Sequence, residues 1–529
     1  MHQEHRRKAL HHPSTRLWLG ITLYLIVFAA LRIALNSTIS FDDAEQVLLS
    51  QDWRLGYGDQ PPLYTYLTKL GFAALGPSQT ALAILKVGLL SSCVGGLLLL
   101  SRELKLRADQ TIIAISSYAL IPQFIWTSQT SLSHSVLATT MGIFLLLVLV
   151  RTERQPSVLN FLLLGILAAA GLLSKYNFLI LIGTLIATGL TIERFRAVYL
   201  NPRILLSLGT TSALVAPHLQ WCLANASDSL YGWTDYEVMR LPFWAWPLSG
   251  FVMAMVFLSP YWLGFSVLAW PHRHELKIAN PTRHPARALL QRLPLAMAAT
   301  MLLVIVLVTQ EKVIRVHWFH SLLFYVPLSA ATLLPPLEKR RLKGFASLSM
   351  IAALAALIAL PAQMASSTLI PRHQKKKLAP SISELTAAIA AITTPSAAID
   401  VIVTSNIKVA ANARLAFPRA RVIRLAKEHP AGNSVADRHA SDSGSRGQFH
   451  GAQGVLLLFD SPVAPEVSSR LLKAFALRDR GLPKLDFNRH VIQHPSGRDI
   501  ILYYSWFPGA RPTRPDRNSR PRSGSTHPG

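Results

Sequence analysis

The chain is poor in charge, in acid and in cysteine. Only 15% of its 529 residues are Asp, Glu, Lys or Arg, against about 25% in an ordinary soluble protein, so water is not the solvent for much of its surface. Acids are the scarcer sign, with 27 Asp and Glu against 53 Lys and Arg and a formal charge of +26. The cysteines are two, Cys93 and Cys222, both inside apolar runs, and there is no CxxC pair. That argues against a disulfide framework and against a thiolate metal or redox site. The strong positive charge raises nucleic acid as a partner. The cations, however, are scattered between apolar runs instead of forming one basic module, so no nucleic acid is expected.

Long apolar runs fill the space that charge leaves. They occur near 17–35, 81–100, 110–127, 135–150, 158–174, 176–192, 204–222, 244–270, 294–309, 317–336 and 344–363. At roughly twenty residues each they can cross about 30 Å of hydrocarbon, which predicts about eleven transmembrane helices. The first run follows His5-Arg6-Arg7-Lys8 and is too long for a cleaved signal sequence, so it reads as an uncleaved span. Ser174-Lys175-Tyr176-Asn177 separates the fifth run from the sixth, and Pro247 and Pro260 interrupt the eighth.

The loops set an orientation. Those after the even-numbered runs carry Arg102/Lys105/Arg107, Arg151/Arg154, Arg194/Arg196/Arg203, Arg273/Lys277/Arg283/Arg287/Arg292 and Lys339/Arg340/Arg341/Lys343. The alternate loops carry far less: Arg54, Lys69, Lys175, Arg240, Lys312 and Arg315. By the positive-inside rule the first set is cytoplasmic, the second is outside, and an odd number of spans leaves the C-terminal segment outside. From about residue 364 the pattern becomes that of a soluble domain, with β-rich stretches at 400–404, 421–425 and 454–459, helical stretches near 381–393 and 465–479, and a closing hairpin at 490–492 and 500–504. The expected fold is an all-α polytopic membrane protein with a small C-terminal α/β soluble domain. Its expected parts are a transmembrane domain at 1–363, an extracytoplasmic domain at 364–508 and a disordered tail at 509–529, with a flexible loop at 430–450.

Chemistry concentrates in the first outside loop, Phe41-Asp42-Asp43-Ala44-Glu45-Gln46, followed by Gly56-Tyr57-Gly58-Asp59-Gln60-Pro61-Pro62-Leu63. Three acids directly after a membrane span are costly near lipid. They either mark the membrane surface or serve a polar cavity.

An acidic pair after the first span, then an aromatic and glycine turn with an acid before Pro-Pro, resembles the family 39-type glycosyltransferases of the GT-C fold. These include protein O-mannosyltransferases and the aminoarabinose and galacturonic-acid transferases that modify lipid A. Ser174-Lys175-Tyr176 and His218-Leu219-Gln220-Trp221 are similar to members of the same group, and the likeness covers roughly the first 240 residues. It implies transfer of a sugar from a polyprenyl-phosphate carrier to an envelope lipid, glycan or protein acceptor, with inversion, in a bacterial inner membrane and on its periplasmic side.

The residue types suit that reaction. A carboxylate within reach of the attacking hydroxyl can take its proton, and Asp43 or Asp42 matches the family's acidic pair. Asp59 matches the acid before Pro-Pro and either orients the sugar or helps Asp43 hold a divalent ion, a hard cation suited to oxygen ligands. Glu45 stands where an aromatic residue is common in the family. It either turns towards Asp42 or faces water. The departing lipid phosphate needs a cation already in place. Lys175 resembles the family's phosphate-side lysine, with snorkelling to the interface as the other reading. Arg240 and Arg315 share its face, and His134 opens the fourth run from the same side, as a candidate for substrate or as an interfacial residue. The competing class is a transporter or flippase of lipid-linked sugars, in which the same residues would hold a head group without cutting it.

Overall fold

The computed structural model describes residues 13–35, 39–229, 245–307, 315–369, 380–393, 398–425, 454–460, 462, 487–493 and 499–507. Two units emerge, Met1–Lys375 and Lys376–Gly529. The first is a helical bundle. Its elements are α1 (Pro13–Leu35), α2 (Phe41–Leu49), α3 (Leu63–Leu75), α4 (Gln79–Glu103), α5 (Ala108–Ser116), α6 (Ser133–Arg154), α7 (Val158–Leu172), α8 (Phe178–Leu190), α9 (Glu193–Tyr199), α10 (Ile204–Ala224), α11 (Ala245–Phe257), α12 (Tyr261–Ala269), α13 (Pro285–Leu307), α14 (Val326–Leu333) and α15 (Lys339–Leu369).

Local chemistry sets several of these boundaries. Ser40 caps α2, its Oγ accepting from the Asp43 amide at 3.2 Å, and Asp42 and Asp43 occupy the first turn, where carboxylates complement the helix dipole. Ser78 caps α4 in the same way, accepting from Ala81 N at 3.1 Å. Helix α6 is the hub: 89% of its most apolar stretch is buried inside the bundle, so it is apolar all round instead of on one stripe. It packs between α4 and α7, with Gly96 letting Ile143 approach closely. Gly165 does the same for α7 and α10, since a side chain there would meet the Ser207 carbonyl oxygen at 2.6 Å.

Among the described residues, five helices have the length and apolarity to cross a membrane, or seven if each of two bent pairs is one span. The run expected at 110–127 bends by 75° between Leu120 and Gln123, and that at 244–270 by 78° between Phe257 and Tyr261. Pro122 and Pro260 lie at these breaks, where each removes a backbone donor. The runs at 158–174 and 176–192 form helices of 15 and 13 residues, and that at 317–336 begins with a 3-10 turn at Val316–Phe319 and holds only the 8-residue α14. Eleven crossings therefore do not follow from helix length and apolarity. The expected domain boundary at 363 also falls inside a helix, because α15 runs on to Leu369.

The basic loops do meet at one end of the bundle. Arg151 and Arg154 reach Glu103 at 2.8 and 2.9 Å, and Arg194 reaches Glu153 at 2.9 Å. Arg287 Nε donates to Leu104 O and Arg292 Nη1 to Thr191 O, both at 2.9 Å.

The second unit holds a five-stranded sheet in the order β2-β1-β3-β5-β4, built from β1 (Val401–Thr404), β2 (Arg421–Arg424), β3 (Val455–Phe459), β4 (Asn488–Gln493) and β5 (Asp499–Phe507), with α16 (Ile382–Ile392) and α17 (Ile407–Ala416). The first three strands are parallel and the last two antiparallel. Every residue of β1 and β3 is buried, as central strands covered on both faces require. The expected hairpin is the β4–β5 pair. The helix expected at 465–479, the loop at 430–450 and the tail at 509–529 lie outside the described residues.

Candidate active site

The site forms where the N-terminus of α2 meets the segment entering α6 and the loop between α7 and α8. Asp43 is fully buried at its centre. Arg32 Nη2 donates to its Oδ2 at 2.7 Å, Lys86 Nζ to its Oδ1 at 3.0 Å, and Ser133 Oγ reaches the same Oδ1 at 3.4 Å. Burial pushes the Asp43 carboxyl up, but the Lys86 and Arg32 cations outweigh it and hold the group well below the usual carboxylate range.

Asp42 is half-buried and points elsewhere. Its Oδ2 accepts from Leu132 N at 2.6 Å, while Oδ1 takes no hydrogen bond among the described residues. Leu132 has φ 60° and ψ 35°, a left-handed conformation uncommon for leucine. Asp42 holds its amide, and Lys86 donates to the neighbouring Ser131 carbonyl at 3.1 Å. One short segment is thus gripped by both the acidic pair and its counter-ion.

Lys175, in the α7–α8 loop, donates to Ser135 Oγ at 2.6 Å. Burial pulls its ammonium down to about 8 despite the attraction of Asp42, which is within electrostatic reach. On its other side is the 3-10 turn at Val316–Phe319. Burial, then Lys175 and Arg315, bring the His317 imidazolium down to about 4. Arg315 itself is exposed. A neutral imidazole between two cations makes this wall positive, which suits an anion.

Asp59 is partly buried, and burial raises its carboxyl. It forms no salt bridge among the described residues, and its charge reaches the Tyr176 hydroxyl next to Lys175. The loop that bears it is tied to the same place: Leu63 N donates to Leu173 O at 3.0 Å. The charges of Asp42 and Asp59 are thus felt by adjacent residues of one loop, Lys175 and Tyr176.

Other expectations fare differently. His134 is a structural tie: Nδ1 donates to Ser174 O at 3.2 Å, Nε2 accepts from Gln46 Nε2 at 3.0 Å, and Gln46 Oε1 accepts from Thr65 Oγ1 at 2.7 Å. With both ring nitrogens engaged it is not available to a substrate. It sets the height of Ser174 and hence of Lys175. Glu45 is partly buried on α2, and Arg240 lies outside the described residues. A divalent ion between Asp43 and Asp59 does not fit the donors, because both Asp43 oxygens already face cations. Among the described residues no three His, Cys, Asp or Glu gather as a ligand set.

Residues 59–221 match the family model described as dolichyl-phosphate-mannose-protein mannosyltransferase. Structurally the chain is similar to ArnT from Cupriavidus metallidurans bound to undecaprenyl phosphate, with a TM-score of 0.59 at 11% identity, covering 93% of this chain and 98% of that one. The same protein in the apo state gives a TM-score of 0.56 at 12% identity. The chain has the GT-C fold of ArnT. In sequence this GT-C chain is similar to two lipopolysaccharide core galacturonosyltransferases of Rhizobium johnstonii. It is 30% identical over 317 residues to RgtB and 28% over 319 residues to RgtA. Those matches span 58% of this chain and 63% and 62% of the relatives, less than two thirds of their length.

Sequence reasoning missed Arg32, Lys86 and Gln46 in this GT-C site. Arg32 and Lys86 lie inside apolar runs, where a cation is expensive unless it is paired. That signal was readable, but the partner was not.

Proposed function

We propose that the chain transfers a sugar from a polyprenyl-phosphate carrier to a hydroxyl of the lipopolysaccharide core or a related envelope glycan, at the periplasmic face of a bacterial inner membrane. Of the acidic pair, Asp42 is the general base and Asp43 the anchor. Asp42 keeps an oxygen open and lies within electrostatic reach of Lys175, whereas both oxygens of Asp43 are committed. Asp42 Oδ1 takes the acceptor's proton as its oxygen attacks the anomeric carbon. The bond from that carbon to the phosphate oxygen breaks with inversion, and the electron pair leaves with the polyprenyl phosphate. Lys175, with Arg315 and the His317 turn beside it, receives that charge. Asp59, its carboxyl raised by burial, binds sugar hydroxyls. The 21-residue α10, the shorter α7 and α8, and the 317–336 run in which α14 is one part would bring the crossings to about eleven.

The observation that carries this reading is an open carboxylate oxygen on Asp42 within electrostatic reach of the buried Lys175 ammonium. The names of the two sequence relatives support the sugar as galacturonate and the acceptor as lipopolysaccharide core. No comparison supports the transporter alternative. Mass spectrometry of lipopolysaccharide and carrier lipids from cells with and without the protein tests it. The expected result is a core lacking one uronic acid and an accumulated lipid-linked sugar. An unchanged core, with the lipid-linked sugar trapped on the cytoplasmic leaflet, would overturn transfer in favour of flipping.

A further inference from the structure

The segment 51–60, which ends in Asp59, contains neither helix nor sheet, yet its carbonyl groups are taken by side chains from three directions. Lys69 Nζ donates to Gln51 O at 2.8 Å, Tyr57 Oη to Asp52 O at 2.7 Å, Tyr66 Oη to Arg54 O at 2.6 Å and His218 Nδ1 to Leu55 O at 2.7 Å. Three of these donors are near in sequence. His218 alone comes from afar, 163 residues away on α10.

The chemistry of its partners fixes the state of that ring. A carbonyl can only accept, so Nδ1 carries the proton and Nε2 presents a lone pair. Nε2 faces the Tyr176 hydroxyl at 3.1 Å and the Cys222 thiol at 3.5 Å. The Tyr176, His218 and Trp221 rings are nearly parallel, with interplanar angles of 9° and 11°. Trp221 lies against Gly56, where an added Cβ would collide with the indole. His218 therefore ties the loop bearing Asp59, through Leu55, to the loop bearing Lys175, through Tyr176.

We infer that His218 is a positioning residue that fixes the separation of Asp59 from Lys175, and so the register of the sugar against its departing phosphate. The inference rests on the proposed transferase reading for its kinetic consequence, while the tie itself is independent of it. A misplacement of about 1 Å far from the chemistry can cost about 100-fold in rate, and beside the backbone tie from Leu63 N to Leu173 O one imidazole bonds both loops through side-chain contacts. The ring's two nitrogens do separate work: Nδ1 sets the Asp59 side and Nε2 the Lys175 side.

The test uses the full chain in nanodiscs. His218→Ala is expected to lower kcat by about 10- to 100-fold with KM for the lipid-linked donor changed less than about threefold, and to speed amide exchange at 54–60. His218→Asn keeps a donor near Leu55 O and is expected to recover most of the protection at 54–60 and part of kcat. Tyr176→Phe removes the Nε2 partner and is expected to lower kcat while leaving that protection in place. Gly56→Ala, which pushes the loop off Trp221 without touching His218, is expected to reproduce the His218→Ala kinetics. Unchanged exchange at 54–60 in His218→Ala would overturn the tie whatever the protein's activity. Faster exchange with unaltered kcat would overturn the positioning role alone. If the parent protein transfers no sugar while His218→Ala still loosens 54–60, the transferase reading falls and the tie stands.

Discussion

Lys86 Nζ lies 3.0 Å from Asp43 Oδ1, both groups almost wholly removed from solvent, and Arg32 closes on the other carboxylate oxygen at 2.7 Å. One acid thus pairs with two cations drawn from two membrane helices, α1 and α4. The three charges bring together the C-terminal end of α1, the N-terminal part of α4 and the first turn of α2, next to the open carboxylate of Asp42.

Removing one member of such a buried set leaves charge without a partner, which costs about 3–5 kcal/mol. Asp43→Asn is accordingly expected to lower thermal stability in detergent by that order, and Lys86→Met to do so less, since Arg32 remains to pair Asp43. Because the folded carboxyl sits below its unfolded value, its contribution is present at neutral pH and lost only as pH falls through the depressed range. A melting temperature unchanged in Asp43→Asn would refute the anchoring role.

Asp42→Asn preserves an oxygen for the Leu132 amide and removes the proton acceptor. Transfer is expected to fall by about 100- to 10,000-fold with melting temperature within experimental error of the parent. Single-turnover assays with lipid-linked sugar read the chemical step directly. Equal loss in Asp43→Asn without any instability would reverse the assignment of the two acids.

Burial pulls the Lys175 ammonium down to about 8, so its charge is expected below that pH and lost above it. Donor use, read as kcat/KM for the carrier lipid, is expected to decline as pH rises through about 8. Lys175→Arg stays charged and should move the decline to higher pH, whereas Lys175→Met should abolish it together with most of the activity. A profile flat to pH 10 in the parent would return Lys175 to an interfacial role.

Gly165→Val puts a branched side chain where the Ser207 carbonyl oxygen stands 2.6 Å from an added Cβ. Helices α7 and α10 must part, at a cost of about 1–3 kcal/mol. The readout is thermal unfolding. Since α10 bears His218, exchange at 54–60 should also quicken.

Much of this was legible one residue at a time. The apolar runs, the basic loops that meet around Glu103 and Glu153 and the strands at 401–404 and 455–459 all follow from local sequence, because a helix in lipid must be apolar wherever it lies and a buried strand must be apolar on both faces. Pro260 also advertised the break in the eighth run, whereas Pro247 sits within α11 and the bend beside Pro122 was not foreseen. His134 shows the limit of such reading. A histidine at the mouth of a span looks the same whether its nitrogens await a substrate or are already taken by Ser174 and Gln46.

The sequence by itself determined the solvent of each segment, hence a polytopic helical bundle with a soluble α/β unit after it, and it placed the acids and the lysine on one side. Only the tertiary structure decided that Asp43 is spent on Arg32 and Lys86 while Asp42 stays open, and that His218 joins two loops from 163 residues away. Hydrophobicity is a property of each residue. A hydrogen bond or an ion pair needs two groups at one distance and angle, and that is settled by how the helices pack.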